Sequence, residues 1–140
     1  MKVHTTNYNN TFITVAEDCT AEMGVEPPLK GEKQSIANLQ FELLKKSPYK
    51  YTSDDLLFKV YAIRNDLVQS ELKAERENYF SKGQACMRAS PLTKTYGWGV
   101  HNDENGKIAI YGRDSREYEK LSKKKTLKVV PAMRSKRKEK

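Results

Sequence analysis

"KTYGWGVHNDENGKIAIYGR", Lys94–Arg113, decides the fold. Two stretches of alternating apolar residues flank a polar, glycine-containing turn, which is the pattern of a β-hairpin. Gly97 and Gly99 flank the chain's single tryptophan, Trp98. Glycine weakens a strand, so each needs a local reason such as close approach of another group. A wide loop of Asp103-Glu104-Asn105, with Gly106 at positive φ, pairs Val100 with Ile108 and Trp98 with Ile110. It gathers Tyr96, Trp98, Val100, Ile108 and Ile110 on one apolar face. A two-residue Asn105-Gly106 turn would pair Trp98 with Arg113 and split that face, because a one-residue slip turns every side chain over. The opposite face then holds Gly97, Gly99, His101, Ala109 and Tyr111. That shallow floor is either filled by Tyr111 or open to a ligand or partner.

The segment entering the hairpin, "MRASPLTK" (87–94), brings two cations and two hydroxyls, Arg88, Lys94, Ser90 and Thr93, onto an irregular connection. Such groups can hold a phosphate or carboxylate. The expected binding surface is therefore Arg88, Ser90, Thr93, Lys94, Gly97, Gly99, His101 and Tyr111. Its expected partner is a small anionic ligand or a protein. Cys86 and His101 supply a nucleophile and a base for an alternative, enzymatic reading. No third, orienting residue accompanies them. The cysteines and histidines lack zinc-type spacing, and no phosphate loop or hydrolase motif is present, so no metal and no cofactor are expected.

Outward from the hairpin, "NTFITVAED" (10–18) reads as a strand. "SIANLQFELLKK" (35–46) reads as a helix capped by Ser35 and stopped at Ser47-Pro48. "TSDDLLFKVYAIR" (52–64) is a second helix, with Ser53 as its cap and Asp54 and Asp55 at the positive end of its dipole. Ser70–Lys82 reads as a third, ending near Gly83. "DSREYEKLSKK" (114–124) is a short fourth, capped at Asp114 or Ser115. "TLKVVPAM" (126–133) adds a last strand that ends before Pro131. These elements predict one α+β domain over residues 1–130, with three or four helices on a small antiparallel sheet that contains the 95–112 hairpin. A disordered basic tail is predicted over 131–140.

The formal net charge of +8 is local. Residues 119–140 hold ten Lys/Arg and two acids, so residues 1–118 carry sixteen of each sign and no net charge. The order helix, helix, helix, hairpin offers a winged-helix alternative that binds nucleic acid through the tail and the Ser70–Lys82 helix. Glu71, Glu75 and Glu77 on that helix oppose it. No apolar run is long enough to span a membrane, and the first residues lack the apolar core of a signal peptide. With two cysteines in no disulfide-type pattern, the expected compartment is the cytoplasm.

Four stretches carry a resemblance: "HTTNYNNTFITVAEDC" (4–19), "ANLQFELL" (37–44), "SPYKYTSDDLLF" (47–58) and "SKGQACMRASPLTKTYGWGVH" (81–101). Over residues 3–121 the chain resembles a bacterial family of small uncharacterised proteins, a domain of unknown function. The resemblance implies a small cytosolic bacterial protein and no particular activity. It leaves the lysine-rich end after Lys123 outside.

Overall fold

The hairpin is present, with β2 at Trp98–Asn102 and β3 at Ile108–Gly112. The computed structural model describes residues 3–136. Trp98 pairs with Gly112, Val100 with Ile110 and Asn102 with Ile108, two residues from the expected register. The loop is Glu104-Asn105-Gly106. It is closed by the Asp103 N–H on the Lys107 carbonyl, and the Asp103 carboxylate accepts from the N–H groups of Asn105 and Lys107. Gly106 takes φ 79°, as a three-residue hairpin loop requires of its last member. An even shift keeps every side chain on its expected face. Trp98, Val100, Ile108 and Ile110 therefore still share the core side.

The sheet runs β3-β2-β1-β4, where β1 is Thr11–Thr14 and β4 is Lys128–Pro131. β1 is antiparallel to β2 but parallel to β4, so the sheet is mixed rather than antiparallel. The cause is a crossover: the chain leaves β3 and passes through α5 (Arg116–Ser122, capped by Ser115). It returns beyond β1, a connection that parallel pairing needs. β1 is shorter than Asn10–Asp18 because the Val15 N–H turns to the Tyr118 hydroxyl and the Ala16 N–H to the Thr93 carbonyl.

The other face packs against α1 (Ile36–Lys46), α2 (Ser53–Arg64) and the single turn α4 (Pro91–Lys94). Ser35 caps α1 in a reciprocal pair with Asn38, whereas Thr52, not Ser53, caps α2. Ile13, Leu44, Leu56, Leu92, Trp98 and Val100 form the main core. The expected helix Ser70–Lys82 is a 3-10 turn at Gln69–Glu71 followed by α3, Leu72–Tyr79, so Gly83 lies beyond its end. A small second core of Phe58, Ala62 and Phe80 anchors it. The hairpin is not a peripheral wing, since β2 is an inner strand of four.

Residues 131–136 run along the body rather than away from it. Ala132 is buried and its N–H bonds the Thr14 carbonyl. The Met133 N–H bonds the Arg88 carbonyl, and the N–H groups of Ser135 and Lys136 reach the Asp18 carboxylate. Those bonds and the neighbouring Arg134 hold the Asp18 carboxyl below the usual carboxylate range, against some desolvation. The last four residues of the expected tail, 137–140, lie outside the described residues. No helix among the described residues is long and apolar enough to cross a membrane.

Candidate functional site

The expected anion site is not assembled. Ser90 is buried, donates to Gln40 Oε1 at 2.6 Å and accepts from the Leu92 N–H as the cap of α4. Thr93 is fully buried and donates to the carbonyls of Met87 and Ser90, both at 3.0 Å. Both hydroxyls hold the turn together, leaving nothing for a ligand. Arg88 donates from Nε to the Pro131 carbonyl at 2.8 Å, fastening β4, and Lys94 stands half-exposed at the end of α4.

The glycine floor is occupied. A Cβ at Gly99 would lie 2.6 Å from Phe12 Cζ and 2.7 Å from Tyr118 Cε2. Gly97 has φ 79°, and a Cβ there would run into the Met23 carbonyl oxygen. Neither is covered by Tyr111. The rings of β1 and α5 fill one position and the 21–23 loop the other. These glycines permit close packing and do not form a ligand floor.

His101 and Tyr111 are brought together by a residue that the sequence reading missed. Tyr49 lies in the connection between α1 and α2 at φ 59°, unusual for a tyrosine. Its N–H donates to the Ile108 carbonyl and the Ile108 N–H donates to the Tyr51 carbonyl, so this connection clips onto the outer edge of β3. The Tyr49 hydroxyl stands 2.8 Å from His101 Nδ1 and 2.7 Å from the Tyr111 hydroxyl. The Tyr49 and His101 rings meet edge to face at 5.6 Å. Burial, reinforced by the Tyr111 hydrogen bond, pushes the Tyr49 phenol far above its usual range. Burial pulls the His101 imidazole below its usual range. Asp103 opposes this and Lys124 adds to it. Tyr49 and His101 are therefore uncharged at neutral pH. In sequence, "SPYKY" reads only as a helix stop, and nothing in it announces a left-handed tyrosine.

Beside this chain a cavity of about 540 Å³ follows β3 from Ala109 to Gly112. Leu44, Lys45, Pro48 and Trp98 line it on the α1 side, with Lys45 Nζ 5.4 Å from the centre of the Trp98 ring. Asp114, Ser115 and Glu117 line it where α5 begins.

The model of the family of unknown function DUF6157 matches residues 3–138. The chain belongs to that family. No curated protein and no solved structure matches it. The DUF6157 match runs past residue 121, so the lysine-rich segment and β4 belong to the domain and are not an appendage to it.

The remaining reactive groups of this DUF6157 chain do not converge. Cys86 is half-buried with its thiol 3.4 Å from the Tyr8 hydroxyl, whereas His101 bonds Tyr49. A Cys86–His101 pair is not formed. The thiol hydrogen bond, followed by burial, raises the Tyr8 phenol above its usual range. Cys19 is buried and also free. Among the described residues no three His, Cys, Asp or Glu side chains cluster as a metal site would require.

Proposed function

We propose that this protein is a small, non-enzymatic binding module that reads an uncharged polar group through the chain Tyr111–Tyr49–His101. The observation that carries this reading is the Tyr49 hydroxyl between His101 Nδ1 and the Tyr111 hydroxyl, at 2.8 and 2.7 Å. A phenol carries one hydrogen and accepts through its lone pairs, and a neutral imidazole has one donor and one acceptor nitrogen. Two arrangements follow. In one, Tyr111 donates to Tyr49 and Tyr49 to His101, which leaves Nε2–H as a donor for the ligand. In the other the direction reverses, so Nε2 accepts and the Tyr111 O–H becomes the free donor. Either way the chain offers a donor at one end and an acceptor at the other. That suits an amide or urea. It suits an anion less, because neither Tyr49 nor His101 is charged.

The expected surface is accordingly narrowed to His101 and Tyr111 and extended to Tyr49. A bacterial, cytoplasmic setting is part of this proposal, and the two free thiols support the reducing compartment. The nucleic-acid alternative has less support. Arg76 of α3 is paired with Asp55 at 2.9 Å, which takes one cation from the helix that would face phosphates.

The test is NMR titration of the full chain with acetamide, urea, acetate and inorganic phosphate at millimolar concentrations. Amide and urea should shift the resonances of His101, Ala109 and Tyr111 in the wild type and not in Tyr49→Phe. Silence of both neutral probes, or a response there to the anions alone, would overturn the reading.

A further inference from the structure

β3 is an edge strand, and its outward-facing main-chain groups can be traced one by one. Asp103 N–H bonds Lys107 O, and Arg113 N–H bonds Gly97 O. Alternation along an antiparallel ladder then turns the main chain of residues 107, 109, 111 and 113 toward β2. The main chain of 108, 110 and 112 turns outward. Ile108 is satisfied by Tyr49 and Tyr51. The Gly112 carbonyl accepts from the N–H and the hydroxyl of Ser115, and Gly24 lies against Gly112. Between these two closures the N–H and C=O of Ile110 have no partner among the described residues, although Ile110 is only 7 % exposed and lines the 540 Å³ cavity. Unpartnered main-chain groups on an edge strand are a template for strand addition.

We infer that the cavity binds a short extended peptide by strand addition, with one residue exchanging both main-chain hydrogen bonds with Ile110. The site goes beyond the phenol–imidazole chain: it uses main chain rather than Tyr49 and meets that chain only at Tyr111. Strand geometry sets the length. From Ile108 to Gly112 the edge spans roughly 13 Å, at about 3.3 Å per residue. The closures at both ends leave room for about three extended residues. Charge sets the composition. The residue opposite Ile110 points its side chain to the same face as Ile110, toward Leu44 and Trp98, and is aliphatic. Its two neighbours point to the opposite face, toward the start of α5, where Asp114 and Glu117 favour basic side chains. The ligand class is therefore basic–aliphatic–basic.

The experiment titrates the full chain with Ac-Lys-Val-Lys-NH2 and follows amide shifts and hydrogen exchange. The Ile110 N–H should exchange rapidly in the free protein and become protected as the peptide binds, with shifts centred on Ala109–Gly112. Methylating the valine nitrogen removes the donor to the Ile110 carbonyl and should weaken binding by about tenfold or more. Ac-Glu-Val-Glu-NH2 should bind at least about tenfold more weakly, and Glu117→Lys should lose several-fold affinity for the lysine peptide. His101→Gln breaks the phenol–imidazole chain away from the cavity lining and should leave protection of the Ile110 N–H by the peptide intact, so failure of the phenol–imidazole reading leaves this one standing. Equal binding of the N-methyl peptide would overturn the proposal. So would shifts away from β3, or no binding at millimolar peptide.

Discussion

Gly99→Ala isolates the packing of the sheet's α5 face. Gly99 is paired with Tyr111 in the ladder and has no positive φ, so its backbone accepts alanine without strain. What it lacks is room. The added methyl would sit 2.6 Å from Phe12 Cζ and 2.7 and 2.9 Å from the Tyr118 ring. Neither ring yields freely. Phe12 is fully buried, and the Tyr118 hydroxyl is tied at 2.9 Å to the Val15 N–H. Overpacking of this kind costs about 1–3 kcal/mol. Against it stands the reduced chain entropy of the unfolded alanine variant, about 0.4–1 kcal/mol in its favour. The net expectation is a loss of about 1–2 kcal/mol, the difference of those two ranges at their centres. Urea unfolding at constant m-value measures it. In a Tyr118→Ala background one of the two colliding rings is gone, so the same substitution should cost less, a positive coupling for residues in contact. A neutral or stabilising Gly99→Ala in the wild type would refute the packed floor and reopen that face to a ligand.

Trp98→Ala should cost about 3–5 kcal/mol in the same assay, because it removes a 9 % exposed ring packed 5.4 Å from Phe41 and the indole N–H bond to the Val25 carbonyl. Acid should destabilise the protein through His101: with its folded pKa below the unfolded value of about 6.5, the unfolded chain binds the extra proton first. Stability from this group is therefore complete above about pH 6.5 and is lost as pH falls toward the folded pKa, and His101→Gln should flatten that part of the urea-midpoint profile. Arg88→Met should loosen β4 without unfolding the sheet, seen as faster hydrogen exchange at Val130 and Ala132, because it removes the 2.8 Å bond to the Pro131 carbonyl.

Local patterns carried much of the fold. The alternation around Trp98 placed the hairpin's apolar face correctly although the register differed by two. Side-chain pattern constrains parity, while the loop's hydrogen bonds choose among registers of equal parity. Ser35 as a cap and Ser47-Pro48 as a stop are also local, and α1 obeys both. The parallel partnership of β1 with β4 joins segments more than a hundred residues apart, and no short window contains it. The candidate site divides the same way. His101 and Tyr111 share a strand face, so alternation finds them. Tyr49 reaches them through the clip to Ile108, a tertiary bond. Ser90 and Thr93 misled the reading because a hydroxyl that holds an anion and one that holds a turn are the same residue in sequence. Only their burial, with partners at 2.6 and 3.0 Å, separates the two roles.

The two edges of the sheet show how the chain limits unwanted pairing and where it stops doing so. On β4, Lys128 and Ala132 turn their N–H groups toward β1, so residues 129 and 131 face outward. Position 131 is proline, which has no N–H to offer, and its carbonyl is held by Arg88. Val129 is left, 39 % exposed, where water satisfies its main chain at little cost. On β3 the closures are the Tyr49–Tyr51 clip at one end and Gly24 at the other. Ile110 is left between them with the same unpaired groups, facing the cavity beside β3. What separates the two edges is shape: the β3 groups open into a cavity walled by Leu44, Trp98, Asp114 and Glu117, so a peptide there would bury side chains as well as exchange main-chain bonds. The β3 edge therefore has more to gain from a partner than the β4 edge, and a peptide of matching length and charge should choose it.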